Sequence, residues 1–411
     1  MKILAISTWF PYPPDNGAKQ RAYNLLSYLG ARHTLDLLTT SQNEHEAKLT
    51  DNLMNFCRRV MVFPPARFVP SDINTVAGFF TFKPRCMVAR NCEELLTEAR
   101  IWAAGEQYDA VIAETLEAAA YCLDLDVPVK LLDEHNIESH VLKRQAQDIQ
   151  SIFRRARYTA TWMKTQVYEA TTAMKFDRVA VVSEMDKQRI KEIIGAENES
   201  KVSVIPNGAD PSLLDYPEQI REPQTIIHTG SINYRPNYDA ARTLCFEILP
   251  RVQFNFPNVR VLITGAHDKV NPLDLMAVPG VEFTGYVSDI RPILGSATVL
   301  ATPLRFGGGT RLKVLEAMAL GTPVVSTPMG AEGLDVRDGV DILMRETPRE
   351  MADQICRVLA DSDLRAGLSR SAKSLVRSRY LWPEIGAKLE EVLVDALDKR
   401  RLENFDMRLS A

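Results

Sequence analysis

The sequence predicts an α/β protein of two domains, each a parallel sheet covered by helices. Three observations carry that prediction. Apolar runs of strand length alternate with helical stretches, the pattern of βαβ units and hence of parallel strands. The alternation runs through once, stops in a stretch dense in turn residues, and starts again. At 411 residues with 45% hydrophobic composition, the chain suits two domains of about 200 residues better than a single core. The linker is expected at residues 206–224, which carry P-N-G-A-D-P and Y-P-E-Q-I-R-E-P. A first domain over 1–205 and a second over 206–382 follow. A tail from about 383 to 411 returns to the first domain across the proline-enforced break at Tyr380-Leu381-Trp382-Pro383.

Bulk composition removes several function classes. Lys and Arg number 49 against 53 for Asp and Glu, and the net charge of −4 gives no reason to propose nucleic acid as a partner. The six cysteines show no C-x-x-C spacing, suit reduced thiols in a cytosol and suggest no structural zinc. No apolar run approaches the length of about 18 residues that a membrane span needs. The opening Met1-Lys2-Ile3-Leu4-Ala5-Ile6-Ser7 reads as a buried strand rather than a leader.

In the first domain, strand 2–7 is followed by a proline-rich loop that turns at Asp15-Asn16-Gly17 into a helix. Strand, glycine turn and helix can form a phosphate approach or simply a turn, and Arg21, one turn into the helix, reads as a solvated charge. Further strands are expected at 33–40, 60–63 and 108–113, with helices over 42–59 and 92–102. Residues 64–90 change character. Arg67, Phe68, Phe79, Phe80, Phe82, Lys83, Arg85, Met87 and Arg90 interleave apolar and basic side chains. That composition suits a lipid interface or an amphipathic acceptor, and equally an irregular segment with its aromatics turned inward. The run V-P-V-K-L-L-D-E-H-N-I-E is a strand ending in Asp133-Glu134-His135-Asn136, at the edge where parallel sheets hold ligands. His135 there either bonds a substrate hydroxyl or carbonyl or is structural. A long helix over 151–177 carries Arg154, Arg155 and Arg157, and strands at 178–183 and 202–205 flank a helix over 184–194.

The second domain repeats the scheme, with strands at 225–229, 260–264, 281–286, 297–302 and 322–326 and a helix over about 238–254. Gly230, Gly265 and Gly285 stand at or beside strand ends, as the rim of a crevice would. Helices over 348–361, 363–379 and 383–402 finish the chain. The most informative stretch is 306–323, F-G-G-G-T-R-L-K-V-L-E-A-M-A-L-G-T-P, where three glycines run into a helix of about three turns. Gly307, Gly308 and Gly309 leave backbone N–H groups open to an anion, Thr310 suits the N-cap, and Gly321 with Pro323 stops the helix. Arg311 and Lys313 place two cations at the positive end of the macrodipole, each costing about 0.3–1 kcal/mol unless an anion binds. Glu316, one turn beyond Lys313, can hold the hydroxyls of a ribose, so the expected ligand is a sugar diphosphate. The other reading makes Lys313 and Glu316 an exposed ion pair, with Leu312, Leu315 and Ala319 facing the core in either case.

The chain resembles the retaining GT-B enzymes of glycosyltransferase family four, in the variety that carries G-G-G-T-R-L-K-V-L-E-A-M-A-L-G-T-P-V-V. The resemblance extends over nearly the whole length, through D-E-H-N, V-S-E-M-D, V-I-P-N-G-A-D, H-T-G, F-T-G-Y-V and the Tyr380-Leu381-Trp382 return. It implies two Rossmann-like domains facing a central cleft, with the C-terminal helix crossing back to the N-terminal domain. The C-terminal domain would bind a nucleoside-diphosphate sugar, UDP-sugar favoured over GDP-sugar, and the N-terminal one a saccharide or lipid-linked acceptor. A hexose would move between them in the making of bacterial cell-surface polysaccharide or glycolipid. No metal and no cofactor beyond the donor is implied, and the location would be cytoplasmic, peripheral on the inner face of the membrane.

The resemblance also implies residue roles. Glu316 would bind ribose, Arg311 and Lys313 the diphosphate, with the amides of Gly309 and Thr310 and the rest of the cradle, Gly307, Gly308 and Leu312. Gly17 and Gly230 would let backbone approach the donor, His135 would contact the transferred sugar, and the main chain at Tyr286 the base. Two departures stand out. Members often carry a second Glu where this chain has Gly308, and an Arg and a Lys where it has Ser231 and Pro236. Arg311 and Lys313 would then supply the missing charge. A non-catalytic nucleotide-sugar-binding subunit and a sugar-nucleotide epimerase of the same architecture are the alternatives.

Overall fold

The computed structural model describes residues 1–41, 46, 48–64, 78, 81, 83–89, 92–147, 149–308 and 311–409. The chain forms two compact units, Met1–Pro206 together with Pro383–Ala411, and Asn207–Trp382.

The first unit is built on strands β1 (Lys2–Ser7), β2 (Thr34–Thr40), β3 (Arg59–Phe63), β4 (Ala110–Glu114), β5 (Val129–Glu134), β6 (Arg178–Val181) and β7 (Val202–Val204). They lie in the order β3-β2-β1-β4-β5-β6-β7, and every pairing is parallel. Strands covered on both faces need no polar side, which is why β1, β4 and β5 read as continuous apolar runs. The order reverses between β1 and β4, and such a reversal opens a crevice at the carboxyl ends of those strands. Helix α1 (Gly17–Gly30) enters that edge. Asn16 caps it, its side chain accepting from the amide of Lys19, and the helix buries Ala22, Leu25, Leu26 and Leu29. Two helices, α2 (Glu138–Gln147) and α3 (Ile152–Ala173), follow β5 as an adjacent pair. The last helix, Trp382–Leu409, packs Ile385, Leu389 and Leu393 into this unit, and its Glu390 meets His33 at 2.7 Å and the Tyr28 hydroxyl at 3.3 Å.

The second unit carries β8 (Thr225–Thr229), β9 (Arg260–Thr264), β10 (Val281–Gly285), β11 (Val299–Thr302), β12 (Val324–Ser326) and β13 (Leu343–Met344). All are parallel, in the order β10-β9-β8-β11-β12-β13, so the switch point lies between β8 and β11. Its core joins strand residues such as Ile226, Val261 and Val299 to Leu244, Ile248, Met351 and Ile355 from the helices.

Several elements differ from the sequence reading. Of the helix expected over 42–59, the described residues show a short one at Asp51–Met54 with only Leu53 buried, and 42–45 and 47 lie outside them. The helix expected over 238–254 begins earlier, as α4 (Arg235–Thr243), and continues through a π-turn at Leu244–Ile248 into Leu249–Asn255. Pro250 has no N–H to give and crowds the preceding carbonyls, which a widened turn relieves. Helix α2 and strand β13 were not anticipated. Most of the interleaved segment 64–90, including Arg67, Phe68, Phe79, Phe80, Phe82 and Arg90, lies outside the described residues, as do Gly309 and Thr310.

Candidate functional site

In the second unit, the segments leaving β8 and β11 build one site. From β11 the chain runs through Phe306 and Gly307 into helix α5 (Leu312–Leu320). Leu312, Val314, Leu315, Ala317, Met318, Ala319 and Leu320 are all buried. Lys313 and Glu316, three residues apart, are the polar pair on the one face that is not. Arg311 stands at the N-cap, without a side-chain cap bond. Its buried guanidinium donates to the carbonyls of Gly308 at 2.8 Å and Met329 at 3.2 Å and lies 3.9 Å from the Glu332 carboxylate. Arg311 thus ties the glycine loop to the loop after β12. That second loop is itself held by the Gly330 amide donating to Thr327 Oγ1 at 3.0 Å.

Lys313 reaches towards β8, where its ammonium donates to the carbonyl of Thr229 and to Asn237 Oδ1 of α4 at 2.8 Å. Burial, reinforced by the charge of Arg311 and opposed by Glu316, pushes its pKa down to about 7. Gly230 makes room for it. At φ +117° its backbone favours glycine, and a Cβ there would stand 2.8 Å from the Lys313 ammonium. His228, fully buried with Nδ1 donating to the Ala301 carbonyl at 2.9 Å, is held neutral, its pKa pushed down to about 3 by burial and by Lys313. A further cation completes the rim. Arg235, the exposed first residue of α4, sets its guanidinium 5.2 Å from the ring centre of Phe306. Gly307 lies beside Pro236, which a Cβ would touch at an ordinary 3.4 Å, and its φ of +128° is what favours glycine. Two helix N-termini, an arginine and a lysine poised near neutrality around glycine backbone can hold a dianion such as a diphosphate.

In the first unit, the carboxyl ends of β4 and β5 bring Glu114, Asp133 and His135 together, all buried. His135 Nε2 lies 3.0 Å from Glu114 Oε2 and 3.3 Å from Asp133 Oδ2. Arg21, read from sequence as solvated, is instead fully buried. It grips Asp133 through Nε at 2.8 Å and Nη2 at 2.5 Å, and donates Nη1 to the carbonyls of Ile205 at 2.8 Å and Pro206 at 3.2 Å. Burial alone would raise the Asp133 carboxyl; the charge of Arg21 and the His135 bond outweigh it and hold that carboxyl well below the usual range. Burial would lower His135, yet its bonds to Asp133 and Glu114 raise it, while burial also raises Glu114. Both shifts favour a proton held by the His135–Glu114 pair. Whichever partner carries it, Nδ1 of His135 is an N–H donor. That nitrogen and the indole N–H of Trp9, whose ring centre is 5.8 Å from the imidazole, are buried without a partner among the described residues. Glu114, Asp133 and His135 also form a grouping whose ligand atoms lie within 4.8 Å of one another, but a divalent ion would have to displace Arg21 from Asp133.

Of the residues singled out from sequence, Gly230, Gly307, Gly308, Arg311, Leu312, Lys313 and Glu316 come together in the second unit. Tyr286, 65% exposed, follows the end of β10. Gly17 opens α1 and His135 directly follows β5, both in the first unit. Arg21, Glu114 and Arg235 were missed. The single signal for Glu114 was its place at the end of a strand beside the switch point.

Residues 15–213 match the model for Glycosyltransferase Family 4 and residues 223–361 that for Glycosyl transferases group 1. The chain carries the domains of a group 1, family 4 glycosyltransferase. It is 31% identical to a phosphatidyl-myo-inositol mannosyltransferase of Mycolicibacterium smegmatis over 207 residues, 46% of this chain and 50% of that enzyme. An uncharacterised 44.6 kDa protein in the cps region of Klebsiella pneumoniae is 23% identical over 362 residues, 84% of this chain and 87% of that one. Among solved structures, Anabaena HepE in complex with UDP superposes with a TM-score of 0.68 at 16% identity, covering 96% of this chain and all (100%) of that one. Sucrose-phosphate synthase from Thermosynechococcus elongatus gives 0.70 at 16% identity, covering 97% and 100%. The two parallel-sheet units are of the GT-B class.

Proposed function

We propose that this glycosyltransferase is a retaining, metal-independent enzyme that moves a hexose from a nucleoside-diphosphate sugar, UDP favoured over GDP, to a saccharide or lipid-linked acceptor. The observation that carries the reading is Lys313 and Glu316 on the one open face of a buried helix that leaves a glycine loop at the switch point. Glu316 takes the ribose hydroxyls, and Lys313, the loop amides and Arg235 take the diphosphate. Arg311 fixes the loop and adds its charge. As the glycosidic bond breaks, negative charge grows on the leaving diphosphate, and a preorganised cationic site lowers that barrier. His135 Nδ1 and Trp9 Nε1 donate to oxygens of the transferred sugar, with Gly17 allowing close backbone approach. The UDP complex of HepE supports the choice of base, and the mycobacterial mannosyltransferases support a lipid-linked acceptor.

A thermal-shift screen of UDP-, GDP- and ADP-sugars tests the donor site. Binding stabilises by about 2.7 kcal/mol at a hundredfold excess over Kd, so UDP-sugars should raise Tm and Glu316→Ala should lose the response. A Tm raised by none of the three removes the reading. The role of His135 has its own test. When the His135–Glu114 proton is lost at high pH, Nδ1 ceases to donate. Glu114→Gln weakens the hold on that proton, so the basic limb of the kcat/KM profile should move down by about one pH unit. An unmoved limb excludes His135 as that donor.

Gly308 favours a second reading, a non-catalytic nucleotide-sugar-binding subunit, since related enzymes often have a carboxylate there. Transfer or hydrolysis by the purified chain alone rules it out. Product analysis without an acceptor separates a transferase from an epimerase.

A further inference from the structure

Lys313 is held by a side chain that carries no charge of its own. Asn237, buried at the third position of α4, accepts from the Lys313 ammonium through Oδ1 at 2.8 Å and donates through Nδ2 to the carbonyl of Ser231 at 3.0 Å. Its backbone is set as well, the Asn237 amide donating to the Tyr234 carbonyl at 2.9 Å. With both ends of the side-chain amide engaged, one orientation is fixed, because the reversed amide would turn an N–H towards the ammonium and an oxygen towards a carbonyl. One small side chain thus joins α4, the segment after Gly230 and α5.

The other acceptor for the ammonium is the Thr229 carbonyl, which is also neutral. Neutral acceptors fix where a charge stands without cancelling it. Gly230 belongs to the same arrangement. A Cβ there would stand 2.7 Å from Asn237 Nδ2 as well as 2.8 Å from Lys313 Nζ, so the glycine leaves the space in which lysine and asparagine meet. The remaining groups that act on Lys313 are Arg311, whose charge repels it, Glu316, one turn on, whose charge attracts it, and His228 of β8, buried and neutral.

We propose that Asn237 is a positioning residue of the donor site, which holds the Lys313 ammonium in place at the end of β8 and leaves its whole charge for the diphosphate. The inference rests on the reading of Lys313 as a diphosphate ligand. An aspartate at 237 would pair with the lysine, keep it charged before any ligand arrives, and set a carboxylate beside the incoming phosphates. An alanine would remove an acceptor that favours the charged form and let the side chain swing.

The test titrates Lys313 itself, through the 13C shift of its ε-carbon in the ligand-free protein, in the wild type, Asn237→Asp and Asn237→Ala. The wild-type midpoint is about 7. It should rise by about one unit or more in Asn237→Asp and fall in Asn237→Ala, while both variants lose about tenfold to a hundredfold in kcat/KM. Asn237→Asp should also take up almost no proton when UDP binds at pH 8, since its lysine is already charged. A midpoint unmoved in both variants, or moved in the same direction in both, overturns the proposal and marks Asn237 as a support for Ser231 alone. Opposite shifts with undiminished kcat/KM overturn it too. The donor reading fails separately, by full activity in Lys313→Ala, and the ligand-free midpoints then still decide whether Asn237 governs the lysine.

Discussion

Lys313→Ala is expected to lower kcat/KM for glycosyl transfer by about a hundredfold to a thousandfold, the loss seen when one preorganised charge-stabilising donor is removed. The fold should not suffer. A half-buried lysine with a folded pKa of about 7 has an unfolded value near 10.4, so between those limits the unfolded chain binds more protons than the folded one. The charge of Lys313 therefore weakens the fold fully below about pH 7, and the penalty fades as pH rises towards 10. Relative to the wild type, Lys313→Ala should be most stable at or below pH 7 and lose that advantage in alkali. Ligand binding reads the same group from another side. A diphosphate beside the ammonium raises its pKa, so UDP binding at pH 8 should take up as much as about one proton in the wild type and none through this residue in the variant. Calorimetry in buffers of different ionisation enthalpy measures that uptake. A wild-type enthalpy independent of buffer, or full activity in Lys313→Ala, would refute the assignment.

The architecture was legible because parallel strands buried on both faces leave uninterrupted apolar runs, and because glycines and prolines punctuate them. Glu316 and Lys313 were legible too, since three glycines followed by cations break local rules in a way that an ordinary helix does not. What stayed hidden is long-range pairing. Arg21 and Asp133 are 112 residues apart, and nothing around Arg21 distinguishes a buried bidentate pair from a solvated charge. Arg311 was legible as a cation of the loop, but its bonds to Gly308 and to Met329, a partner 18 residues on, were not. The π-turn before Leu249 was foreshadowed by Pro250, though a proline predicts a disturbance and not its form.

Arg21→Leu is expected to destabilise the first unit by about 3–5 kcal/mol, the range for breaking a buried ion pair on one side. The guanidinium neutralises Asp133 and satisfies the carbonyls of Ile205 and Pro206, so its removal leaves a buried carboxylate beside Glu114 with His135 as its remaining cationic partner. The pH dependence has a definite sign. Asp133 is held below its unfolded value in the native chain, so the stability it contributes is present above about pH 4 and is lost as the solution is acidified through its folded pKa. In Arg21→Leu that carboxyl rises, and the deficit against the wild type should be largest at neutral pH and shrink towards pH 4. Urea unfolding followed by hydrogen exchange at the amides of α1 and β5 localises the effect to the first unit. Arg21→Leu combined with Asp133→Leu removes both charges together and should recover most of the loss, because a buried pair replaced by apolar side chains is near neutral in free energy. If the double variant is as unstable as Arg21→Leu, the cost lies in the orphaned carbonyls of Ile205 and Pro206 rather than in the charge of Asp133. A wild-type-like Arg21→Leu would mean that the pair does not hold this edge of the sheet at all.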